Sequence, residues 1–503
     1  MFPGLFAVSA PDKRAAIIAE TGRTLTYADL DRRSTRLAHH LRRAGLRHGD
    51  AVALITDNRL EAFEVYWAAM RSGLYLTAVN HHLAPDEVSY ILSDSGAAGL
   101  IVSAAQHDLA EALEADGLLV QLAFGGPVPG FGDYEQALAR SSEEPLGNQP
   151  RGAPMLYSSG TTGRPKGVRP PLPERQIDDP GHPDVALHTA AFGFGTESVY
   201  LSPAPIYHAA PLRYCASMQS VGGTVVMMEH FDASSMLSTV ERYRVIHLQA
   251  VPTMFVRLLK LPEAERSGHD LSSLQVAIHA AAPCPPTVKH AMIDWWGPIL
   301  FEYYAGTEAN GMTLINSAEW LEHPGSVGTA ILGVPHICGE DGAELPTGRI
   351  GLVYFEREEL PFWYHRDPKS TRQAQHPRHP TWTTMGDVGR LDPDGYLYLT
   401  DRAAFTIISG GVNIYPQEIE NALTMHPKVR DVAVVGVPDE EMGQRVKAFV
   451  QPAETATVGL AGELTEYLRE RVAHFKVPRE IDVVQTLPRT AVGKLAKRSL
   501  LTT

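Results

Sequence analysis

The sequence has few cysteines and no long uninterrupted apolar run. Its three cysteines, Cys215, Cys284 and Cys338, are widely spaced and form no CxxC or Cys/His cluster. This pattern predicts reduced thiols in a cytosolic protein and argues against a disulfide framework or a zinc site. No run of about 18 apolar residues occurs, and residues 1–11 lack the pattern of a signal peptide. We therefore expect neither a membrane span nor secretion, and peripheral contact with a bilayer stays open.

Positive charge is also in short supply. The chain has 44 Lys and Arg against 58 Asp and Glu, which gives a net charge of −14. Such a balance disfavours functions that depend on neutralising nucleic-acid phosphates or anionic lipids. With 503 residues, 44% of them hydrophobic, the chain is long enough for two or more globular domains. Any polyanionic ligand has to be held by a local group of residues.

Such a group is present at residues 157–167, which read Y-S-S-G-T-T-G-R-P-K-G. The glycines let backbone N–H groups approach phosphate oxygens, the hydroxyls add donors, and the lysine adds a charge. This is not a Walker loop, because Pro165 precedes Lys166 and Gly167 follows it. The predicted phosphate ligands are Ser158, Ser159, Gly160, Thr161, Thr162, Gly163 and Lys166.

The loop resembles the signature loop of the adenylate-forming superfamily of acyl-CoA synthetases, adenylation domains and luciferases, and the resemblance runs from residue 11 to residue 494. It implies a two-step acid–thiol ligase with ATP, Mg²⁺ and CoA as ligands. In the first step the acid attacks the α-phosphate of MgATP and gives acyl-AMP and pyrophosphate. In the second step the CoA thiol displaces AMP.

Alternation of short apolar runs with helical patterns predicts an α/β fold. Strands are expected at 51–55, 75–78, 99–103, 223–228, 245–250 and 275–280, with a helix at 60–72. Residues 169–183 carry five prolines and are expected to form a mobile loop.

A composition break near residue 400 divides the chain into two predicted domains. We expect a large, layered α/β adenylation domain over residues 1–402. Residues 403–503 should form a small α+β lid that carries the catalytic lysine. Within the lid we expect helices at 416–425 and 460–472 and strands at 429–436 and 446–451.

The catalytic lysine is Lys494, at the end of the segment P-R-T-A-V-G-K over residues 488–494. By itself a lysine after a glycine on a terminal loop is usually solvated. The resemblance implies that it contacts the acyl carboxylate and the α-phosphate. A cation at that position stabilises the transition state more than the ground state, because two anions meet and charge moves onto pyrophosphate.

Residues 303–308, Y-Y-A-G-T-E, match an aromatic-glycine-x-Thr-Glu motif of the family. The match implies that Glu308 lies at the Mg²⁺ ion, Thr307 near a phosphate and Tyr304 against the adenine. A surface role for Glu308 is the alternative. The motif departs from the family at Ala305, where a glycine is usual.

The remaining nucleotide contacts follow from three further matches. Asp387 and Arg402 match positions that hold the ribose hydroxyls. Ala280, Ala281 and Ala282 match the segment that lines the adenine, where the family commonly has glycine. His279, just before that segment, either faces the acyl pocket or packs in the core.

The CoA contacts implied by the resemblance lie in the C-terminal part of the chain: Gly410, Gly411, Asn413, Phe475 and Arg479. The two glycines fit passage of a pantetheine arm, and a hairpin turn is the alternative. The family's usual Lys or Asp at the hinge is replaced by Ala404, which puts the balance between the two lid positions in doubt.

The acid is expected to be apolar: fatty, aromatic or alicyclic. His208, in P-I-Y-H-A-A-P at 205–211, matches the family's aromatic/His motif at the acyl pocket, and no aspartate is present there to hold an amino acid. Arg213 is either the partner of a second polar group or solvated. The pocket candidates, which are equally plausible as core residues, are Val251, Met254, Phe255, Tyr303 and Met312.

Three other functions stay open at this stage. One is a ligase that delivers the acyl group to a carrier protein, and another is a luciferase-type monooxygenase, which no feature of the sequence favours. The third is a nucleotide-binding protein that has lost its chemistry. The oligomeric state, including a homodimer, is also open.

Overall fold

The computed structural model describes residues 2–113, 117–158, 165–402, 405–409, 412–439, 442–454, 459–489 and 495–501. These residues form two compact units. The first unit comprises Met1–Ala250, Leu261–Ile278 and Phe362–Ser370, and the second comprises Val251–Lys260, His279–Pro361 and Thr371–Thr503. Within the described ranges, no helix combines the length and apolar character that crossing a bilayer requires.

The regular elements of the described residues are as follows. The strands are β1 (Arg14–Ile18), β2 (Thr24–Thr26), β3 (Ala51–Ile55), β4 (Tyr75–Val79), β5 (Ala97–Ser103), β6 (Val120–Phe124), β7 (Gly132–Asp133), β8 (Ala153–Pro154), β9 (Leu156–Ser158), β10 (Lys166–Val168), β11 (Val199–Ser202), β12 (Thr224–Met227), β13 (His247–Ala250), β14 (Val276–His279), β15 (Leu300–Ala305), β16 (Met312–Asn316), β17 (Thr329–Leu332), β18 (Val334–Cys338), β19 (Gly351–Glu356), β20 (Trp382–Thr383), β21 (Asp387–Leu391), β22 (Leu397–Arg402), β23 (Ile407–Ser409), β24 (Val412–Ile414), β25 (Val429–Asp439), β26 (Gly443–Pro452) and β27 (Glu480–Val483). The α-helices are α1 (Gly4–Ser9), α2 (Tyr27–Arg43), α3 (Glu61–Met70), α4 (Pro85–Ser95), α5 (His107–Glu111), α6 (Tyr134–Ala139), α7 (Pro183–Phe192), α8 (Ala209–Ser220), α9 (Ala233–Tyr243), α10 (Pro252–Leu259), α11 (Glu263–Arg266), α12 (Pro286–Trp296), α13 (Ser317–Glu322), α14 (Pro368–Ala374), α15 (Pro416–Thr424) and α16 (Leu460–Arg469).

The first unit is built on two largely parallel sheets. One has the order β7-β6-β5-β3-β4-β8, and the other has the order β14-β13-β11-β12-β1, with β2 antiparallel at its edge. All five residues of β3 are buried, as are all four of β12 and of β13. Complete burial of this kind is typical of parallel strands that helices cover on both faces. Helices between successive strands supply that cover.

The second unit is built mainly from antiparallel strands. Strands β15, β16 and β17 form an antiparallel ladder, and β18-β19-β21-β22 form a sheet in which β20 also pairs with β19. A third sheet has the order β24-β23-β26-β25, with β27 on β26. Its core is aliphatic and includes Ile419 and Leu423 of α15 and Leu464 and Leu468 of α16.

The α/β fold class predicted from the sequence is confirmed by the sheets and helices of both units. Each strand predicted in the first 280 residues is present, within one or two residues of its expected ends. The proline-rich stretch has no regular element until α7 begins at Pro183, as its composition predicts. The helices and strands predicted after residue 415 are present as α15, β25, β26 and α16.

Candidate functional site

In the first unit, a hairpin supports the predicted phosphate loop. Strands β9 and β10 are antiparallel and pair Ser158 with Lys166 and Tyr157 with Gly167. The predicted ligands Ser159, Gly160, Thr161, Thr162 and Gly163 lie outside the described residues, and of Ser158 the structure describes only the backbone. The described strands therefore fix where the two ends of the loop leave the sheet.

Packing around this hairpin explains two of its residues. A Cβ atom on Gly167 would come within 2.9 Å of the Met155 methyl carbon and the Tyr157 ring, so a larger residue would have to displace these side chains. The Tyr157 hydroxyl donates a hydrogen bond to Asp94 Oδ2 (2.6 Å), which ties β9 to α4. Lys166 Nζ lies 5.0 Å from the centre of the Tyr364 ring. The ammonium group is thus held beside an aromatic face at the end of the loop.

In the second unit, the predicted ribose and adenine residues lie together. The Tyr304 hydroxyl donates a hydrogen bond to Asp387 Oδ2 (2.6 Å). Asp387 begins β21 and is paired across the ladder with Arg402 of β22, of which only the backbone is described. Tyr304 is near the end of β15, and its ring lies 6.2 Å from that of Phe355. Residues from three different strands are thus brought together.

Glu308 is a buried carboxylate in a crowded turn after β15. A Cβ atom on Gly306 would overlap the sulfur of Met385 and come within 2.9 Å of Glu308 Oε2. A side chain at residue 306 would therefore have to displace Met385 and Glu308, while Ala305 ends β15 with a φ outside the left-handed region. The departure at Ala305 leaves the tight turn intact. A buried carboxylate oxygen beside half-buried Thr307 is a ligand type that fits Mg²⁺.

The segment predicted to line the adenine follows β14. Ala280 is buried and Ala281 and Ala282 are exposed. Ala281 has a φ of 74°, in the left-handed region that favours glycine. The resemblance implies glycine here, and the backbone has kept the conformation that a glycine would adopt. Ala281 therefore carries backbone strain that a glycine at the same position would not have.

His279 packs in the core, which resolves the two alternatives left by the sequence. It is fully buried, and its ring meets that of Phe255 edge-on at 5.3 Å. Burial and then the nearby Lys289 hold the pKa of His279 well below its usual value. The sequence did not single out Lys289, whose buried Nζ bonds Glu302 Oε2 at 2.6 Å. A single lysine within a helical pattern does not indicate, from the sequence alone, that its side chain is buried.

The predicted acyl-pocket histidine belongs to a well-anchored segment of the first unit. His208 is half-buried just before α8, and its ring lies 4.6 Å from that of Tyr207. Tyr207 meets His81 edge-on at 5.4 Å. The segment is held by Asn58, whose amide donates to the carbonyls of Ala204 (3.2 Å) and Met228 (2.7 Å). The structural role of Asn58 was not predicted from the sequence, because a single asparagine after a strand usually marks a turn.

Most of the pocket candidates taken from the sequence are buried in the second unit. Met254, Phe255 and Met312 are less than a tenth exposed, and Val251 and Tyr303 are half-buried. Phe255 packs edge-on against Trp296 as well as His279, so it supports the core.

Lys494 lies outside the described residues, but both ends of its segment are described. Arg489 and Leu495 form an antiparallel bridge, and Ala496 N donates to Pro488 O at 2.9 Å. Beyond the bridge, buried Lys497 bonds Glu420 Oε1 at 2.7 Å. The segment that carries Lys494 is therefore closed at its base and anchored to α15.

The predicted CoA contacts are placed only in part. Gly410 and Gly411 lie outside the described residues, between β23 and β24, which pair Ser409 with Val412. The side chain of Asn413 in β24 is likewise outside the description. Phe475 is 56% exposed, and Arg479 lies 3.4 Å from Asp439 Oδ2. An exposed aromatic ring on the surface is what stacking against a nucleotide requires.

Family models match most of the chain. Residues 6–360 match the model of the AMP-binding enzyme, and residues 418–494 match that of the AMP-binding enzyme C-terminal domain. A feruloyl-CoA synthase from Amycolatopsis sp. is 34% identical over 489 residues, which cover 96% of this chain and 94% of the relative. The long-chain-fatty-acid–CoA ligase FadD13 of Mycobacterium tuberculosis is 30% identical, with coverage of 98% and 96%. An indoleacetate–CoA ligase of Aromatoleum aromaticum is 31% identical, with coverage of 97% and 94%.

Solved structures give the same result. The o-succinylbenzoate CoA synthetase of Bacillus subtilis, in complex with its acyl-adenylate, matches with a TM-score of 0.80 and 26% identity. The match covers 99% of this chain and 97% of that one. The same synthetase in complex with ATP and a magnesium ion matches with a TM-score of 0.79 and 25% identity, and covers 100% and 99%.

Proposed function

The chain belongs to the AMP-binding enzyme family, and from this membership we propose how its residues divide the work of a two-step acid–CoA ligase. The enzyme activates an acid as acyl-AMP with MgATP and then forms the CoA thioester. Activation is needed because direct condensation of a carboxylate with a thiol is unfavourable. The observation that carries the division of roles is the hydrogen bond from Tyr304 to buried Asp387, together with the buried carboxylate of Glu308 in the turn after β15.

In the adenylation step, Asp387 and Arg402 hold the ribose hydroxyls and Tyr304 lies against the adenine. The Tyr304–Asp387 hydrogen bond supports this role, since it fixes the carboxylate and leaves acceptor positions for the ribose. Glu308 supplies the carboxylate ligand for Mg²⁺, which neutralises charge on the phosphates when bound. Thr307 lies near the phosphate.

The phosphates are held by residues 158–163 and Lys166 at the hairpin of β9 and β10. The paired strands support this role because they hold the two ends of the loop at fixed points. Lys494 is the cation at the bridging position between the acyl carboxylate and the α-phosphate. It lowers the barrier as charge moves from the nucleophile onto pyrophosphate.

Thioester formation is assigned to the C-terminal part of the chain, residues 403–503, acting as a mobile lid. Phe475 stacks on the CoA nucleotide and Arg479 pairs with its phosphates, while Gly410, Gly411 and Asn413 line the path of the pantetheine arm. The exposure of Phe475 supports its part in this assignment. Binding in this way requires CoA as a free, soluble thiol, and we place the enzyme in the cytoplasm.

The acid that this enzyme activates is apolar, and we propose an aromatic or other ring-containing acid as the preferred class. Two of the relatives are named for aromatic acids, ferulate and indoleacetate, and a third for long-chain fatty acids. His208 gates the entry of the acid or thiol. Residues 205–211 hold no aspartate to bind an ammonium group, which disfavours amino acids.

The test is acid-dependent release of pyrophosphate from MgATP over a panel of fatty, aromatic and alicyclic acids, with and without CoA, and with acyl-CoA identified by mass. Pyrophosphate and thioester together support the proposal and name the acid class. Pyrophosphate without thioester, even with CoA present, points instead to a carrier-protein acceptor. No pyrophosphate with any acid, although ATP binds, contradicts the proposal.

A further inference from the structure

Two packed helices of the first unit bring four polar side chains together. On α7, Asp184 and His188 are four residues apart and therefore lie on one face. The His188 ring stacks on Tyr214 of α8, with centroids 4.1 Å apart and planes 27° apart. That stack turns the same face of α7 towards α8, where Arg213 is the residue before Tyr214. Asp184 and Arg213 lie close enough for the guanidinium to act on the carboxyl and lower its pKa.

A third helix adds a phenol to this group. Trp67 of α3 donates its indole N–H to Gln219 Oε1 of α8 at 2.7 Å, which fixes α3 against α8. Tyr66, the preceding residue, is buried, and its hydroxyl is influenced by the charges of both Asp184 and Arg213. Burial, with smaller effects from Arg151 and these neighbours, raises the pKa of Tyr66 to about 12. The phenol is therefore neutral and keeps its proton.

Three of these polar groups make no hydrogen bond within the ranges that the structure describes. The Asp184 carboxylate, the Arg213 guanidinium and the Tyr66 hydroxyl make no hydrogen bond or close ion pair there. His188 is only 5% exposed, and within the described part of the chain its Nδ1 atom has no hydrogen-bonding partner. Asp184 and Arg213 are half-buried and Tyr66 is buried, so water or a ligand that reaches the group can supply the missing partners.

The charges of the group are opposite and both present at neutral pH. Burial by itself raises the pKa of Asp184, but Arg213 and then His182 outweigh burial and lower it, so the carboxyl is ionised. Burial lowers the pKa of His188 to about 4 and leaves its ring neutral. A cationic substituent on a ligand would meet Arg213, and an anionic one would meet Asp184. A hydroxyl suits both, because it donates to the carboxylate and accepts from the guanidinium.

We propose that Asp184 and Arg213, with Tyr66 beside them, recognise a hydroxyl group on the acid substrate, away from its reacting carboxylate. This inference rests on the proposed function and narrows its substrate to hydroxylated acids, phenolic acids in the first place. Buried aromatic rings lie on these helices or just after α7, including Phe192, Phe194 and Tyr214. They suit an otherwise apolar acid. Sequence alone left Arg213 undecided between a polar partner and solvent.

The test compares matched acids with and without a hydroxyl, such as cinnamic with 4-hydroxycinnamic acid and cyclohexanecarboxylic with 4-hydroxycyclohexanecarboxylic acid. Binding to the full chain is measured by calorimetry in the presence of α,β-methylene-ATP, which blocks adenylation. We expect the hydroxylated member of at least one pair to bind ten-fold or more tightly, because an acid that covers these polar groups without pairing them removes them from water at a cost. Equal binding within every pair, or no binding of any acid, overturns the inference.

Variants test which residues are responsible for the preference for hydroxylated acids. Asp184→Leu and Arg213→Met should each remove most of it, by weakening the hydroxylated acid ten-fold or more. The double variant, which leaves no unpaired charge, should fold and bind the unsubstituted acid at least as well as the wild type does. Asp178→Asn, an exposed aspartate of the preceding loop, is the matched control. Retention of the wild-type preference in the double variant overturns the assignment.

Failure of this inference can be distinguished from failure of the proposed function. Thioester formation from MgATP and CoA tests the ligase, whereas acid binding beside the inert analogue tests only recognition. A ligase without hydroxyl preference keeps the proposed function and overturns the inference. A 4-carboxycinnamic acid that binds more tightly than its hydroxyl analogue also overturns it, since the site would then be cationic.

Discussion

At the scale of single residues, the strained backbone of Ala281 has a measurable cost. Its φ of 74° costs an alanine roughly 1–2 kcal/mol that a glycine would not incur. Ala281→Gly should therefore raise the stability of the protein by about 1 kcal/mol, after the greater flexibility of unfolded glycine is subtracted. The midpoint of thermal unfolding measures the change. Ala282→Gly is the control, and it should lower stability because Ala282 is not left-handed.

The cation at residue 494 has the largest expected effect on chemistry. Lys494→Ala should slow adenylate formation by about 100-fold or more, which is the usual loss when one transition-state contact is removed. Binding of ATP should change by no more than about 3-fold, since the ground state uses the lysine less. Rapid-quench measurement of acyl-AMP separates the two quantities. Lys428→Ala, at an exposed lysine, is the control, and near wild-type adenylation by Lys494→Ala would contradict the role.

At the scale of elements, α15 and the segment after Lys494 are joined by one buried ion pair. Glu420 accepts hydrogen bonds from Lys497 Nζ and from Val434 N, each at 2.7 Å. Burial raises the pKa of Glu420, so the carboxylate depends on its partner to remain charged.

Lys497→Met should destabilise this part of the chain by about 3 kcal/mol, because it leaves a buried carboxylate without its cation. Hydrogen exchange at the Val434 amide reports the loss locally. The double variant Lys497→Met/Glu420→Gln should recover most of the stability, since no charge is then unpaired. If the single variant exchanges at the wild-type rate, the pair does not anchor the segment.

A strand or a contact is predictable from the sequence when the residues that determine it are close together in the chain. Apolar runs such as residues 51–55 identify buried parallel strands, because the signal is local. The resemblance implied that Tyr304 lies at the adenine and Asp387 at the ribose, but the hydrogen bond between them joins residues 83 positions apart and was not predicted. The burial of Lys289 was unforeseen, because only the fold brings Glu302 within 2.6 Å of it. Likewise, α7 and α8 decide what Arg213 faces.

At the scale of the whole molecule, buried histidines make stability sensitive to acid. Burial holds the pKa of His188 at about 4, while an unfolded histidine titrates near 6.5. Below pH 6.5 the unfolded chain binds a proton that the folded chain does not, so folding is weakened as the pH falls towards 4. From pH 7.5 to pH 5.5 this one group should cost about 1 kcal/mol.

His188→Phe isolates that contribution, since it keeps a ring against Tyr214 and removes the titration. We expect the loss of unfolding midpoint between pH 7.5 and pH 5.5 to be smaller in the variant than in the wild type. The comparison must be between the two proteins, because buried carboxyls act in the opposite direction: burial raises the pKa of Glu64. Equal losses in both proteins would show that His188 titrates normally.

The sheet of the first unit joins the beginning of the chain to a strand made much later. Residues Ala16 to Ile18 of β1 pair in parallel with Val225 to Met227 of β12. A ribosome adds roughly 5–20 residues per second, so β1 waits on the order of ten to forty seconds for its neighbour. Until then its apolar edge is open to wrong partners. Newly made chains should therefore depend on chaperones, and slower translation of residues 19–224 should lower the yield of soluble enzyme.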